Sequence, residues 1–369
     1  MKFETAAGLQ QPRPVSMQAA VYRGAGEVSV ESAAVPAIGP GELLVRVESC
    51  GICHTDLKKI LHNLLPPPRI FGHETAGTVV EAGPGAGDFR PGDRVALFHH
   101  VPCRKCFYCL RRLYAQCETY KRVGITAGYE PSGGGFAQYV RVMDWITSHG
   151  VVRIPAGVSF DRACFVEPVN TCLKAVVKCE IQAGECVAVL GQGPIGLLFT
   201  MLLVRRGATV FAADPVAERR ELALELGAAG VFDPHRQHDG PPLLAAVREF
   251  TAGRGCDAVF VAAAAPGLPA QAVDLTRPGG RVLLFAQTSP GQTMELDAAA
   301  ICAQERLVLG CYSADIDLQE ESARLVFDGD LPVEALISHR LPLAEIRSGI
   351  RMAKLPEAGS LKIIVHPQK

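Results

Sequence analysis

The sequence contains no long hydrophobic run and almost no excess of charge. Its longest mainly apolar stretch, from Pro194 to Val204, is too short for a membrane-spanning helix, which needs about 20 residues. The first residues, Met1 to Pro12, lack the apolar core of a secretory signal. A net charge of -1 without long runs of one sign argues against nucleic acid or a membrane surface as partner. We therefore expect a cytoplasmic protein with neither of these partners.

Internal repeats and low-complexity tracts are also missing, so the fold must come from ordinary globular domains. At 369 residues the chain is long enough for two of them. Its 13 cysteines are an odd number in a chain without an export signal. Metal ligands and buried free thiols are therefore expected, rather than a framework of disulfides.

The part of the chain from Met17 to about Val152 is typical of β structure. It contains short segments rich in β-branched residues, which glycine and proline separate. These features predict an all-β barrel or sandwich. The strand-like segments are residues 19–23, 43–49, 77–82, 94–98 and 137–142.

The composition changes near Val166, where a helix is predicted. Strand and helix patterns then alternate, and the strands are apolar throughout, as expected for a parallel sheet covered on both faces. We predict a doubly wound dinucleotide-binding fold, with a final strand at Leu361–Val365 that folds back onto the first domain. The predicted strands of the parallel sheet are residues 186–191, 208–214, 231–232, 256–262 and 280–286.

A glycine-rich turn follows the first of these strands and opens a helix. Glycine permits the tight turn and the close approach of the backbone to a pyrophosphate, which the helix N-terminus attracts. The predicted cofactor-binding residues of this turn are Gly191, Gly193, Pro194, Ile195 and Gly196.

Asp214 ends the next strand and is predicted to bind the adenosine ribose hydroxyls. A carboxylate there repels a 2′-phosphate, so NAD is favoured over NADP. Arg219, included among the cofactor-binding residues, and Arg220 follow closely and weaken that preference. The alternative is that Asp214 is only a turn residue at the end of a strand.

Four cysteines lie close together at gaps of two, two and seven residues. Four thiolates close a tetrahedral structural zinc site, and the surrounding arginines and lysine favour thiolates. A surface loop with scattered thiols and an iron–sulfur cluster are the alternatives. The predicted ligands are Cys103, Cys106, Cys109 and Cys117.

Cys53 and His73 are predicted to bind a second, catalytic zinc ion. A thiolate, an imidazole and a carboxylate hold such an ion while leaving a position open. Glu74 follows His73 directly, and Glu167 lies just before the dinucleotide domain. Either carboxylate could be the metal ligand, with the other one nearby. The alternative for Glu167 is a carboxylate at a helix N-terminus, where the helix dipole favours it.

The residues around Cys53 have other expected roles. The hydroxyl of Thr55 is placed to accept and pass on the substrate proton, unless Thr55 is a packing residue. His54 is expected to face the cofactor or solvent, Asp56 to support the site, and Cys50 to be a core thiol. The remaining histidines are expected to be surface residues or core residues with satisfied hydrogen bonds: His62, His99, His100, His149, His235, His238, His339 and His366.

These motifs together resemble the zinc-containing medium-chain alcohol and polyol dehydrogenases along nearly the whole chain. The matching segments are residues 51–56, 72–74, 91–95, 103–117, 167–168 and 191–196, with Asp214. The resemblance implies a GroES-like β-rich catalytic domain, residues 1–166 and 311–369, and an inserted Rossmann domain, residues 167–310.

Glu167, where typical alcohol dehydrogenases have cysteine, is more similar to the sorbitol, threonine and sugar dehydrogenase branch. That match implies that Thr171 lies under the nicotinamide. Many relatives have a relay histidine at the position of Lys58, so the proton takes another route or Lys58 contacts cofactor phosphate.

The expected function is a zinc-dependent transfer of hydride between an alcohol and NAD(P). Zinc would lower the pKa of the substrate hydroxyl, the proton would leave through Thr55, and the hydride would pass to the nicotinamide. A secondary alcohol, polyol, sugar or amino alcohol is the expected substrate. The alternatives are a simple alcohol dehydrogenase or aldehyde reductase, a zinc-free quinone or enone reductase, and a non-catalytic relative that binds zinc and nucleotide. A homodimer or homotetramer is expected.

Overall fold

The computed structural model describes residues 14–122, 133–235, 243–286, 291–354 and 359–369. Within these ranges the strands form a three-stranded, a six-stranded and a seven-stranded sheet. No helix in the described ranges is both long enough and apolar enough to span a bilayer. Residues 1–13 and His238 lie outside the described residues.

The first part of the chain is β-rich, as predicted, but it also contains short helices. Its strands are β1 (Ser16–Gly24), β2 (Glu27–Ala34), β3 (Leu43–Gly51), β4 (Arg69–Ile70), β5 (Glu74–Ala82), β6 (Arg94–Leu97), β7 (Tyr139–Val142) and β8 (Val151–Arg153). Its helices are α1 (His54–Leu61), α2 (Glu118–Arg122), α3 (Asp144–His149) and α4 (Phe160–Ala163), with 3-10 turns at Cys109–Arg111 and Tyr114–Gln116.

Among the differences from the predicted all-β structure, helix α1 matters most for the site. Cys53 is its N-cap residue, with Asp56 in the first turn, and Leu57 and Ile60 bury its apolar face. An acidic side chain in the first turn is favoured by the helix dipole. The motif around Cys53 therefore lies at a strand-to-helix turn rather than within continuous β structure.

The second part of the chain confirms the doubly wound prediction. Its strands are β9 (Cys186–Leu190), β10 (Thr209–Ala213), β11 (Gly230–Phe232), β12 (Cys256–Val261), β13 (Thr276–Leu284) and β14 (Leu307–Gly310). All neighbouring strands of this sheet are parallel, in the order β11-β10-β9-β12-β13-β14. This strand order places a topological switch point between β9 and β12, beside the glycine-rich turn.

Helices cover both faces of the parallel sheet. They are α5 (Val166–Lys178), α6 (Pro194–Arg205), α7 (Ala217–Glu225), α8 (Leu243–Phe250), α9 (Leu268–Leu275) and α10 (Ala298–Cys302). The central strands β9, β10 and β12 are almost entirely buried, which explains their continuous apolar sequences.

The C-terminal part returns to the first domain. It contains α11 (Gln319–Phe327), β15 (Ile337–Pro342), α12 (Ile346–Lys354) and β16 (Lys362–His366), with 3-10 turns at Ile316–Leu318, Val333–Leu336 and Leu343–Glu345. Strand β16 pairs antiparallel with β3 and parallel with β15 in the seven-stranded sheet. The exact domain boundaries stay a prediction.

Phe199 of α6 anchors the helix to the parallel sheet. Its ring is fully buried and lies 5.0 Å from the rings of Phe260 and Phe285. Phe199→Ala should lower the free energy of unfolding by about 3–5 kcal/mol, because it leaves a cavity in a closely packed core. Denaturant unfolding measures this change. Phe250→Ala, at a side chain that is 56% exposed, is the control and should cost less than about 1 kcal/mol. Equal losses in the two variants would contradict the proposed anchoring role.

Candidate active site

The pairing of β3 with β5 brings the Cys53 turn and the His73 turn together. Gly51, the last residue of β3, lies opposite Glu74, the first residue of β5. A Cβ atom on Gly51 would lie 2.0 Å from Glu74 Oε2, so only glycine permits this close approach. The strand ends thus bring segments from two sequence motifs into one buried region.

Cys53, His73 and Glu74 form a group with the donor chemistry of a zinc site. One potential ligand atom from each lies within 4.8 Å of the others. His73 Nδ1 is 3.0 Å from Asp56 Oδ1, which leaves Nε2 available for a metal. In metal-binding histidines, the ring nitrogen that does not bind the metal commonly makes a hydrogen bond of this kind. The donor set of thiolate, imidazole and carboxylate therefore fits zinc.

The charges around His73 favour a cation at this place. Burial lowers the pKa of His73, but the neighbouring Asp56 and Cys53 outweigh burial and raise it well above its usual value. Asp56 Oδ2 is buried without a hydrogen-bond partner among the described residues. The carboxylate and thiol groups therefore give this region negative charge, which favours the binding of a divalent ion.

Glu74 is bound by a lysine that the sequence analysis did not identify. Lys362 Nζ donates to both carboxylate oxygens, at 2.8 and 2.7 Å, and both side chains are buried. Burial raises the pKa of Glu74, and the charge of Lys362 opposes this shift. Lys362 lies at the start of β16, so the C-terminal strand contributes directly to the site.

Glu167 lies in a second group of possible ligands, with His99 and His100. His100 Nε2 is 2.7 Å from Glu167 Oε1, and His100 Nδ1 lies near the hydroxyls of Tyr120 and Ser313, at 2.9 and 2.8 Å. His99 is buried, and its Nε2 has no hydrogen-bond partner among the described residues. Within the described residues, His99 therefore lacks the hydrogen bond expected of a satisfied core residue.

The four cysteines of residues 103–117, here called the cysteine lobe, come together as their spacing suggests. Their sulfur atoms all lie within 4.8 Å of one another, with separations of 3.4 Å for Cys106–Cys109 and 3.9 Å for Cys103–Cys109. Zinc–sulfur bonds of about 2.3 Å in a tetrahedron place the sulfurs about 3.8 Å apart. The fourth cysteine, Cys117, accepts a hydrogen bond from the backbone N–H of Cys103.

The glycine-rich turn leaves no room for side chains at its two ends. Gly191 has a φ of 97°, and a Cβ atom there would lie 2.7 Å from Ala263 Cβ. A Cβ atom on Gly196 would lie 1.8 Å from Gly191 O. Gly193 is the N-cap of α6, and Pro194 and Ile195 form its first turn, so the backbone N–H groups face the region before the helix.

Asp214 fixes the turn through the backbone. Its two carboxylate oxygens accept hydrogen bonds from Gln192 N at 2.7 Å and Val216 N at 2.9 Å. The side chain is buried at the end of β10. Asp214 therefore places a negative charge at the strand end where a ribose is bound in this fold.

Arg219 lies between the glycine-rich turn and the C-terminal segment. Its Nη1 is 4.0 Å from the position of a Cβ atom on Gly193, and its Nη2 donates to Ser360 O at 3.0 Å. Burial and, to a smaller extent, the charges of Lys362 and Arg219 lower the pKa of His54. The guanidinium of Arg219, beside the turn, suits an anionic cofactor.

The remaining predicted residues lie in or near this region. Cys50 is buried, with Sγ 3.4 Å from Thr75 Oγ1, as expected for a core thiol. Thr55 is partly buried, and its backbone N–H donates to Cys53 Sγ at 3.5 Å. Thr171 is buried in α5, and its hydroxyl donates to Pro168 O at 2.9 Å.

Comparison with known proteins shows which family the chain resembles. Residues 39–156 match the family described as "Alcohol dehydrogenase GroES-like domain", and residues 194–327 match "Zinc-binding dehydrogenase". The chain is 31% identical to an L-threonine 3-dehydrogenase of Pyrococcus abyssi (83% of this chain, 86% of that protein). It is 28% identical to a sorbitol dehydrogenase of Bombyx mori, over 95% and 98% of the two chains.

A solved structure shows the same overall fold. It is a putative zinc-binding dehydrogenase from Sinorhizobium meliloti 1021 bound to NADP. The two chains share 32% identity with a TM-score of 0.85, covering 95% of this chain and 99% of that one. The chain belongs to the zinc-containing medium-chain dehydrogenase family. It is therefore a zinc-dependent oxidoreductase that acts on alcohol groups with a nicotinamide cofactor.

The lobe cysteines should differ in reactivity in metal-free protein. Backbone hydrogen bonding, first from Lys105, lowers the pKa of Cys103 to about 6, whereas burial raises the pKa of Cys109 to about 12. In chelator-treated protein, iodoacetamide should label Cys103 increasingly above pH 6 and label Cys109 little at pH 8, because the thiolate is the nucleophile. Peptide mass spectrometry measures the labelling. Zinc-loaded protein is the control and should resist labelling, and equal rates for both thiols would contradict the assignment.

Proposed function

We propose that the chain oxidises a secondary alcohol group of a polyol, sugar or amino alcohol. The observation that carries this proposal is the Cys53, His73 and Glu74 group, connected by contacts to the dinucleotide turn. Lys362 contacts Glu74, and Ser360, two residues earlier, accepts a hydrogen bond from Arg219 beside the turn. The names of the similar proteins, sorbitol dehydrogenase and L-threonine 3-dehydrogenase, support this substrate class.

The proposed ligands of the catalytic zinc are Cys53, His73 and one of the two carboxylates, Glu74 or Glu167, with the other carboxylate beside it. When bound there, zinc would polarise the substrate hydroxyl and NAD⁺ would accept the hydride. Asp56 holds the His73 ring so that Nε2 faces Cys53, and Lys362 balances the charge of Glu74. Glu167 is proposed to lie beside this group, since His100 binds its carboxylate.

Other residues of the chain would handle the proton and the cofactor. Thr55, two residues after Cys53 in the first turn of α1, is proposed to accept the substrate proton and pass it outward. Thr171 is proposed to lie under the nicotinamide, and the turn Gly191–Gly196 to bind the pyrophosphate together with Arg219. The four-cysteine lobe is proposed to hold a second, structural zinc, whose role is to fold residues 103–117.

NAD is the proposed cofactor, rather than NADP. The two arginines that weaken this preference both have other partners: Arg219 donates to Ser360 O, and Arg220 Nη1 donates to Asp214 O. Arg220 also lies 3.4 Å from Asp233. Arg219 Nη1 also lies 3.8 Å from Asp214 Oδ2 and offsets part of its charge, so the preference for NAD rests on the buried Asp214 carboxylate at the end of β10, which would repel a 2′-phosphate.

A homodimer or homotetramer in the cytoplasm is also proposed. Strand β14 is an edge of the parallel sheet, with Leu307 54% exposed, and exposed edge strands readily pair with another chain. The structure has all 13 cysteines as free thiols, which suits a reducing compartment.

Replacement of the proposed sulfur ligand tests the catalytic function. Cys53→Ser should reduce kcat by more than about 100-fold, since a serine hydroxyl is a poor zinc ligand. NAD⁺ affinity should stay within about threefold, because the glycine-rich turn is intact. Reduced-nicotinamide absorbance is measured with a panel of secondary alcohols, polyols and amino alcohols. Cys302→Ser, at an exposed thiol, is the matched control. Near-normal turnover by Cys53→Ser would contradict the proposal.

The cofactor preference is tested at Asp214. The wild type should show a kcat/KM for NAD⁺ at least about tenfold above that for NADP⁺. Asp214→Asn should narrow this ratio about tenfold, because it removes the charge while keeping an oxygen acceptor for the turn. Asp274→Asn, at an exposed carboxylate of α9, should leave the ratio unchanged. A wild-type preference for NADP⁺, or an unaltered ratio in Asp214→Asn, would contradict the assignment.

A further inference from the structure

Two buried polar atoms beside the glycine-rich turn lack a hydrogen-bond partner in the part of the chain that the structure describes. They are the Oγ atom of Ser360 and the Nε atom of Arg219. Ser360 is only 4% exposed, and the side chain of Arg219 is 13% exposed. Nearly all buried polar atoms in folded proteins are paired, so two unpaired atoms on neighbouring residues indicate that a ligand binds there.

We propose that Ser360 is a cofactor-binding residue, whose hydroxyl donates a hydrogen bond to the pyrophosphate of the dinucleotide. This role rests on the proposed binding of that pyrophosphate at the turn Gly191–Gly196. It adds a contact from a distant part of the chain, because Ser360 lies two residues before β16, which belongs to the seven-stranded sheet. The cofactor is then held by residues attached to both large sheets.

The contacts of Arg219 place Ser360 next to the turn. Arg219 Nη2 donates to Ser360 O at 3.0 Å. On the other side, Arg219 Nη1 is 3.8 Å from Asp214 Oδ2 and 4.0 Å from the position of a Cβ atom on Gly193. A single guanidinium group therefore spans the distance between Ser360 and the N-terminus of α6.

The turn lacks one of the backbone donors that a helix N-terminus usually offers. Gly193 is the N-cap of α6, and Pro194 follows it without an N–H group. A pyrophosphate presents several charged oxygen atoms, and donors on side chains can complete their hydrogen bonding. Arg219 supplies positive charge beside the turn, and the Ser360 hydroxyl supplies a further donor.

The alternation of side chains before β16 directs Ser360 towards the cleft. Residues two apart in an extended segment project to the same side. Lys362 reaches Glu74 in the candidate active site, whereas Leu361 packs against the hydrophobic core. Ser360 is thus on the side of Lys362, away from the core that Leu361 contacts.

The backbone around Ser360 is fixed without the use of its hydroxyl. Leu361 N donates to Ser338 Oγ at 2.9 Å, and Ser338 Oγ donates to Lys362 O at 3.3 Å. Gly359 has a φ of 82°, a left-handed conformation that glycine adopts readily in the turn before Ser360. A donor that is already held in place loses little conformational entropy when the ligand binds, which strengthens the contact.

Cofactor binding to the full-length, zinc-loaded protein tests the proposal. In titration calorimetry, Ser360→Ala should bind the preferred one of NADH and NADPH at least about tenfold more weakly than the wild type, because a hydrogen bond to a charged oxygen is lost. ADP-ribose contains the same pyrophosphate and should lose affinity by a similar factor, whereas the affinity for adenosine should stay within about twofold. Ser148→Ala, at an exposed serine, is the control and should bind all these ligands as the wild type does.

Thermal unfolding separates a binding role from a structural one. Without cofactor, Ser360→Ala should be at least as stable as the wild type, because an unpaired buried hydroxyl contributes no hydrogen bond. A less stable cofactor-free variant, wild-type affinity for the dinucleotide, or an equal loss for adenosine and ADP-ribose would overturn the role of Ser360 and leave the turn as the binding site. Absence of dinucleotide binding in the wild type would instead refute the proposed cofactor site, and this contact with it.

Discussion

The active site depends on the antiparallel pairing of β3 and β5. That pairing places Gly51 against Glu74 and so brings the Cys53 turn, at the N-terminus of α1, next to His73. The approach is possible only because Gly51 has no side chain. Since strands β16 and β7 also pair with β3, the ligand turns rest on the most connected strand of the seven-stranded sheet.

Each buried carboxylate of the site has a basic side chain as its partner. Glu74 is paired with Lys362, Asp56 with His73 and Glu167 with His100. Buried charges without partners are strongly unfavourable, so these pairs fix the orientation of the carboxylates. The partners come from β16, from the turn before β5 and from the segment after β6, so folding of several elements completes the site. Arg219, which reaches from α7 to Ser360, connects this arrangement to the dinucleotide turn.

Local sequence patterns were sufficient to predict the parallel sheet and the glycine-rich turn. Gly191, Gly196 and Asp214 follow strands whose apolar composition indicates a buried parallel sheet. Each residue contacts only neighbouring parts of the same βαβ unit. The cluster of lobe cysteines was equally predictable from the sequence, because all four lie in one short segment. Helix α1 was missed because it is short and begins inside a motif between strands.

Long-range pairing explains what the sequence did not reveal. Lys362 lies 288 residues from Glu74, and only the return of β16 to β3 brings them together. Its signal was a single lysine in an otherwise apolar strand. The sequence predicts His99 and His100 to be surface or satisfied core residues because they have no ligand partner nearby in sequence, although two adjacent histidines just before the cysteine lobe are a usable signal.

The central claim is that one zinc ion is shared by Cys53 and His73. Crystals of the zinc-loaded protein, measured on both sides of the zinc absorption edge, test it directly. The account predicts an anomalous peak about 2.3 Å from Cys53 Sγ and about 2.0–2.1 Å from His73 Nε2, separate from the peak in the lobe. A peak in the lobe alone, with none between Cys53 and His73, would contradict it.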